Sequence, residues 1–504
     1  MKNFYVILLS VLFIYNSFSQ NTNNFNFKQV EKEIETALNN KEVPSVVMAV
    51  SKNGKIIYEK AYGYSDIENK VKATVTTSYQ LASVSKVFTA TGVMLLQHQN
   101  KIDIYESVEK YMAPLKFKEI DGIASDVKVI DLLNHTSGLG TYFQLNYADE
   151  SIKSDSFENA FKKYGSLFHP SGHIHEYSNL GYGLLDYIIA VQSGTTFSNF
   201  MEKELFAPLF LKNTFVDKPD KTNNQIAKTY GANLDVLPEL KTNTKGGGDV
   251  YSSIHDLISF GMFHLDNNTN LLNTNERHLM RNYKNENVLY PNYDDSFYGI
   301  GWNVKPSDNN YNIVWHEGGM MGVSSMLKLI PNEDIAIAVI QNSNNPAFCQ
   351  KITDMLSKIV LPEYNPTPIN PVADYTNYTS DSSYFGNWKG EIKIDDLSIP
   401  CSLTIEENGD IIINYIDYTY QSYFTQNNPI PNKTFLATGL VNKNSFLGMY
   451  LGNLPSKDIR HEFSQFLSLK LIKKGNMLSG TVVALAASER EYYAYPYYIK
   501  LKKE

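Results

Sequence analysis

The spacing of apolar residues divides the chain into two textures. From Phe27 to Leu38 the apolar positions recur as on an amphipathic helix. "VPSVVMAVSKNGKIIYEKAYGYSD" then reads as two strands joined at Lys52-Asn53-Gly54, a hairpin turn signal. Val84 to Gln97 is almost wholly apolar, with Gly92 its one weak breaker, and predicts a buried helix. "FSNFMEKELFAPLF" predicts another helix that stops at Pro208. "DIAIAVIQN" (Asp334 to Asn342) is a β-branched run of buried-strand type. Helices bracketed by strands give an α+β class for this first part.

After "LPEYNPTPINPVADY" the texture changes. That stretch holds four prolines and reads as a linker, placed at 362–375. Beyond it come "GEIKI", "CSLTI", "DIIINYI", "TFLATGLV", "FLGMYLG", "FLSLKLIKKG", "LSGTVVALA" and "YYAYPYYIKLKK", short runs spaced by turn residues. About eight strands in this span predict a small antiparallel barrel or sandwich over 376–504.

At 504 residues, two or more domains are expected. With 43% hydrophobic and 19% charged residues the chain is globular. The 35 tyrosines and 26 phenylalanines fit substantial β structure or a carbohydrate-facing surface. A net charge of −8 without a Lys/Arg block argues against nucleic acid as a partner. The opening "MKNFYVILLSVLFIYNSFSQ" has a cationic Lys2, an apolar run from Phe4 to Tyr15 and small residues at Ser17 and Ser19. It reads as a signal peptide over 1–19, cut before Gln20, rather than an uncleaved anchor. The expectation is a periplasmic or secreted protein with no stable membrane insertion after signal removal. For the two cysteines, Cys349 and Cys401, a pair and two buried thiols both remain open.

The candidate chemistry sits in "LASVSKVFTA". Ser83 and Lys86 stand at i and i+3, which share a helix face. Burial among Ala82, Val87 and Phe88 disfavours the charged amine, and a neutral Lys86 can take the hydroxyl proton of Ser83. The backbone N–H of Ser83, at a helix start, is placed to help hold a developing oxyanion. S-x-x-K recurs at Ser107/Lys110 and Ser325/Lys328, so the spacing alone is weak. Y-x-N occurs at Tyr177-Ser178-Asn179, but also at Tyr283/Asn285, Tyr290/Asn292 and Tyr375/Asn377. H-x-G occurs once, at His316-Glu317-Gly318, shortly after a Ser307-Asp308-Asn309 that reads as a decoy.

Longer segments carry more than these tripeptides. "VPSVVMAVSKNGKIIYEKAYGYSDIE", "TTSYQLASVSKVFTA", "NKIDIYESVEKYM", "VIDLLNHTSGL", "HPSGHIHEYSNLGYGLLDYII", "GGGDVYSSIHDLISFG", "YGIGW" and "VWHEGGMMGVSSMLKLIPNEDIAIAVIQN" follow in order. Over roughly Glu33 to Leu361, within a domain placed at 20–361, the chain resembles the β-lactamase-related serine hydrolases. These include class C β-lactamases, D-alanyl-D-alanine peptidases, D-aminopeptidases and related esterases. The resemblance implies an antiparallel sheet flanked by helices plus an all-helical lobe, with the site between them. It implies Ser83 as acylated nucleophile, Lys86 as its activator and Tyr177 as proton shuttle. Asn179 would hold the substrate amide and Lys86. His316 would stand where many relatives have a lysine, supplying a weaker, pH-dependent charge and a hydrogen bond to Tyr177. Gly318 would let the strand approach the substrate closely, and Gly319 N–H would be the second oxyanion donor with Ser83. No metal or organic cofactor is implied.

The departures bear on substrate. K-[ST]-G is absent from the sequence, and Glu317 stands where carboxylate-binding relatives tend to have a hydroxyl. A carboxylate there repels a substrate carboxylate by about 1–4 kcal/mol at 4 Å. That disfavours β-lactam hydrolysis and D-alanyl-D-alanine carboxypeptidase action, and fits amine-bearing D-amino-acid peptides or neutral esters. The loops Tyr142–Leu167 and Asp217–Lys241 would shape the pocket. His135 reads as structural, around the turn at Ser137-Gly138, and His173, His175 and Glu176 as packing rather than metal ligands. Asp249 and Ser252 read as turn residues and Ser253 as a helix cap. Gly386-x-Trp388-x-Gly390 resembles the first strand of lipocalin-like barrels, with Trp388 as core plug. An idle cell-wall-peptide binder or sensor, and a carbohydrate binder acting through the C-terminal part, are the alternatives to an enzyme.

Overall fold

The computed structural model describes residues 25–123, 126–150, 155–218, 225–265, 271–288, 296–366, 382–394, 397–407, 411–415, 440–442, 445–450, 454, 466–488 and 491–504. The expected signal peptide, most of the linker and nearly all of "TFLATGLV" lie outside these residues.

An eight-stranded antiparallel sheet organises the first part. Its hairpin, Ser45–Lys52 and Lys55–Asp66, turns at Asn53 and Gly54 with φ of 51° and 68°. Such positive values suit the Asn-Gly pair. Ser45–Lys52 pairs with Ile335–Gln341, which pairs with Val323–Ile330, then Tyr311–Met320, Asn303–Asp308 and Phe297–Tyr298. Ile335–Gln341 is buried throughout because both faces of the sheet are covered. On the back face Val46, Met48, Val50, Ile337 and Val339 share a core with Val30 and Ile34 of helix Lys28–Asn39 and with Ile352 and Leu356 of helix Pro346–Val360. On the front face Val47, Ala49, Ala338 and Ile340 pack in the main core with Leu257 and Ile258 of helix Ile254–His264, capped by Ser253.

The helical lobe follows from near-continuous apolar runs. Helix Ser85–His98 is buried from Ser85 to Leu96. A Cβ at Gly92 would sit 2.8 Å from Met201 Sδ, so the breaker is a close-packing residue. Helices Val129–Leu133, Phe157–Tyr164 and Asn179–Ser193 complete the layer around it, with Phe197–Met201, which passes into a wider π turn over Glu202–Phe206 before Pro208. The lobe is not all-helical: strand Phe143–Tyr147 lies in the expected Tyr142–Leu167 loop.

That strand bears on a larger correction. The C-terminal part does form eight strands, in the antiparallel order 411–415, 397–405, 386–394, 491–503, 477–488, 466–474, 445–450 and 440–442. They do not close into a barrel, lipocalin-like or otherwise. Among the described residues the end strands, 411–415 and 440–442, do not pair with each other, and the sheet stays open. Strand 491–503 outruns its neighbour Gly386–Ile394, which reaches only Tyr498. The remaining edge at Tyr492–Ala494 pairs with Phe143–Leu145, and Leu145–Tyr147 pairs in turn with Leu240–Thr242. A sheet edge left unpaired is a liability, and here the helical lobe covers part of it. Trp388 is buried, donating to Tyr384 O at 2.8 Å, in an apolar cluster continuous with the main core.

Cys349 and Cys401 are both buried and free, and burial raises both thiol pKa values, that of Cys401 to about 12. Among the described residues no helix is long and apolar enough to cross a membrane.

Candidate active site

Ser83 lies in a tight turn, Ala82–Val84, that feeds directly into helix Ser85–His98. Ala82 adopts φ 49°, a left-handed conformation costly for a residue with a Cβ, just before the candidate nucleophile. The turn is pinned from two directions. Leu81 N donates to Val250 O at 2.8 Å, and Val250 N donates to Ser85 Oγ at 3.0 Å. Ser85 is thus a structural acceptor. From the sheet, Ser325 Oγ donates to Leu81 O at 2.6 Å.

Lys86 is fully buried, and its Nζ lies 3.2 Å from Ser83 Oγ and 2.6 Å from Gly247 O. Desolvation holds its pKa well below the ordinary lysine value, opposed in part by the Glu317 charge. A neutral amine can donate one N–H to Gly247 O and turn its lone pair to the Ser83 hydroxyl. The ring centroids of Tyr177 and Tyr182 lie 4.7 and 5.6 Å from Nζ. Gly247 belongs to a single helical turn, Lys245–Gly248, packed closely at Gly246. A Cβ at Gly246 would come within 2.8 Å of Tyr182 O. The turn is braced by Asp186, whose Oδ2 accepts from Gly246 N at 2.7 Å, and by Thr89, which donates to Gly246 O at 2.8 Å. Burial raises the Asp186 pKa to about 8.

Tyr177 and Asn179 enter from the start of helix Asn179–Ser193, both half-buried. Ser178 caps that helix, accepting from Gly181 N at 3.2 Å. A Cβ on Gly247 would lie 3.4 Å from Asn179 Oδ1, so Asn179 borders the carbonyl that holds Lys86. His135 backs this group: its Nδ1 accepts from Ser178 N at 3.1 Å, and its ring lies 4.3 Å from that of Tyr177. It is a buried, neutral scaffold residue, as expected of a structural histidine.

The third motif differs from expectation. His316 Nδ1 donates to Glu317 O at 2.7 Å, and Nε2 accepts from Tyr298 OH at 2.8 Å. Burial and the nearby Lys86 lower its pKa to about 3. It is an acceptor for Tyr298, and the lowered pKa runs against the positive charge expected at this position. Gly318 also does something other than admit substrate. A Cβ there would lie 2.1 Å from Leu81 O and 3.2 Å from Ser83 N, so the glycine lets the strand touch the nucleophile turn itself. Gly319 is exposed, and a Cβ on it would meet open space.

Glu317 pairs across the sheet with Met326, on the face of Trp315, opposite to His316. It is half-buried, accepts from Asn303 Nδ2 at 3.2 Å, and has a raised pKa because of desolvation.

The lysines of the other S-x-x-K copies and the S-D-N lie away from this group, and Tyr290/Asn292 and Tyr375/Asn377 fall outside the described residues. Lys328 is buried against Asp354 at 2.9 Å, on the back face. Ser107 precedes a surface turn, and Lys110 pairs with Glu106. Asp308 of the S-D-N accepts from Tyr364 OH at 2.6 Å, behind the sheet. His173 is exposed and bonds Ser171 O at 2.8 Å, while His175 and Glu176 are buried. Three groups at the site were not singled out from sequence: Gly247, Tyr182 and Tyr298. Their segments, "GGGDVYSS", "HPSGHIHEYSNLGYGLLDYII" and "YGIGW", were marked only by resemblance.

A family model described as Beta-lactamase matches residues 30–360. Protein flp of Staphylococcus aureus (strain N315) is 24% identical over 382 residues, 73% of this chain and 70% of that protein. The structure of SurE with D-Leu is similar with a TM-score of 0.63 at 17% identity, covering 93% of this chain and 98% of that one. That of EstCE1, a hydrolase with promiscuous acyltransferase activity, gives 0.55 at 18%, covering 65% and 97%. Over the matched span and the shared fold, the chain belongs to the beta-lactamase family, hydrolases of amide and ester bonds built on the penicillin-binding-protein fold.

Proposed function

We propose that the protein is an exported hydrolase acting through an acyl group carried on Ser83. The observation that supports this most directly is the buried Lys86 amine 3.2 Å from Ser83 Oγ, with its pKa lowered by desolvation. In this reading Ser83 Oγ attacks the substrate carbonyl carbon and its proton passes to Lys86 Nζ. The N–H groups of Ser83 and Gly319 take the developing oxyanion. Tyr177 delivers the proton to the departing nitrogen or oxygen, and the carbonyl–leaving group bond breaks. Water then attacks the acyl carbon, gives its proton back through Tyr177 and Lys86, and releases the acid. Asn179 orients the substrate amide. Every step uses groups of this chain, the substrate and water.

The favoured substrates are D-amino-acid peptides or amides and short neutral esters. The Glu317 charge lies within electrostatic reach of Lys86, and His316 offers no cation to hold a substrate carboxylate. The likeness to a structure holding D-Leu is in keeping with this. A fluorescent fluorophosphonate tests the chemistry: wild type becomes labelled and Ser83→Ala does not. No labelling, with no turnover of p-nitrophenyl acetate, D-aminoacyl amides or nitrocefin, would leave a binding protein instead.

A further inference from the structure

The residue before Tyr177 is a buried carboxylate, and its partners come from the far end of the chain. Glu176 Oε2 accepts from Thr481 Oγ1 at 3.0 Å and lies 3.2 Å from His169 Nε2. Its Oε1 accepts from Thr141 N at 3.2 Å, and its own N–H donates to His135 O at 2.8 Å. One residue earlier, His175 O accepts from Lys470 Nζ at 2.8 Å. Both Lys470 and Thr481 belong to the C-terminal sheet, on adjacent strands where Lys470 pairs with Thr481 across the ladder. Close docking is built in: a Cβ on Gly480 would lie 2.7 Å from His169 Cε1.

On the other side, Ser178 is fixed by His135 Nδ1 and by Gly140 O, to which its hydroxyl donates at 2.9 Å. Tyr177 therefore stands between residues held on both flanks, with little backbone slack. A second connection reaches Lys86. Tyr492–Ala494 pairs with Phe143–Leu145, and that strand pairs with Leu240–Thr242, which leads into the turn whose Gly247 O holds the amine.

We propose that Lys470 and Thr481 are positioning residues for Tyr177, so that the C-terminal sheet is a working part of the catalytic site; this rests on the proton-transfer reading of Tyr177. A buried carboxylate alone is costly; with the sheet docked, Thr481 bonds Glu176 and Lys470 adds a favourable Coulombic influence on it. Displacement of a catalytic group by about 1 Å costs on the order of 100-fold in rate. A simple staple between two parts of the chain would affect stability and leave the chemistry of the folded protein alone.

The test uses the full chain, with Lys470→Met, Thr481→Val and Thr481→Ser, and two probe esters. Phenyl acetate needs its leaving oxygen protonated more than p-nitrophenyl acetate does. The expected result is a fall in kcat of about 10- to 100-fold in Lys470→Met and Thr481→Val. KM should change little, the loss should be larger for phenyl acetate, and Thr481→Ser should restore the rate. Near-UV circular dichroism identifies folded protein. Folded variants with wild-type kcat on both esters would overturn the proposal. So would variants that fail to fold while Thr481→Ser matches wild type in every rate. A wild type that turns over neither ester and resists fluorophosphonate would remove the underlying reading as well. Wild-type activity that depends on Ser83 but not on Lys470 or Thr481 would remove this inference alone.

Discussion

Ser325 donates its hydroxyl to the carbonyl of Leu81 at 2.6 Å, tying the central sheet to the turn that presents Ser83. The serine of a rival S-x-x-K thus supports the nucleophile of the first. Ser325→Ala should cost about 1 kcal/mol of stability and lower kcat several-fold with KM little changed. Urea unfolding and ester kinetics on the same preparation check both.

Gly318→Ala should be more damaging. The new methyl group would fall 2.1 Å from Leu81 O and 2.3 Å from Ser325 Oγ, so strand and turn must part. A destabilisation of about 1–3 kcal/mol and a loss of fluorophosphonate labelling by 100-fold or more are expected. Gly319→Ala, with open space around its Cβ, should fold normally.

Lys86→Arg should abolish acylation, because a guanidinium does not lose its proton, and should also lower stability, because the buried site must take a larger group that stays charged. In wild type the acylation rate should rise with pH through the lowered Lys86 pKa and level off well short of 10.5. A pH profile that climbs only near 10.5 would contradict a neutral amine.

Acid stability should carry the mark of His316. Its folded pKa of about 3 lies below the unfolded value of 6.5, so between those limits the unfolded chain binds the extra proton. Stability from this group is then complete above pH 6.5 and is lost as pH falls toward 3, by about 1.4 kcal/mol per unit. Asp186, raised to about 8, contributes with the opposite sign, so wild type alone is uninformative. His316→Gln should give a stability–pH slope shallower than wild type over that range, measured by urea unfolding.

Glu317→Thr should improve kcat/KM for substrates with a free carboxylate relative to those with a free amine. Unchanged selectivity would mean that its position on the Trp315 face, bonded to Asn303, shields substrate from its charge.

Much of this was legible in the sequence because local pattern governs it. The hairpin at Asn53-Gly54, the buried helix from Ser85 and the Ser83–Lys86 face follow from turn chemistry and periodicity. Seven of the C-terminal strands could also be read from alternation, the expected "TFLATGLV" strand lying mostly outside the described residues. What escaped depends on contacts between distant segments. Gly247 lies 161 residues from the lysine it holds. The neutrality of His316 arises from burial that only the folded sheet provides. Closure of a barrel depends on the end strands meeting, which alternation does not reveal, and strand Phe143–Tyr147, hidden in a stretch read as loop, pairs instead with the overhang of strand 491–503. The direction of Glu317 depends on strand register, which alternation alone leaves ambiguous by one residue.

The pairing of Lys470 with the His175 carbonyl spans 295 residues, and that of Thr481 with Glu176 spans 305. During synthesis, the segment bearing Tyr177 emerges long before its partners exist. Glu176 must wait in water, or with a chaperone, until the strands bearing Lys470 and Thr481 leave the ribosome. Hydrolytic competence should therefore arrive late, once the strands bearing Lys470 and Thr481 have emerged and docked beside Tyr177.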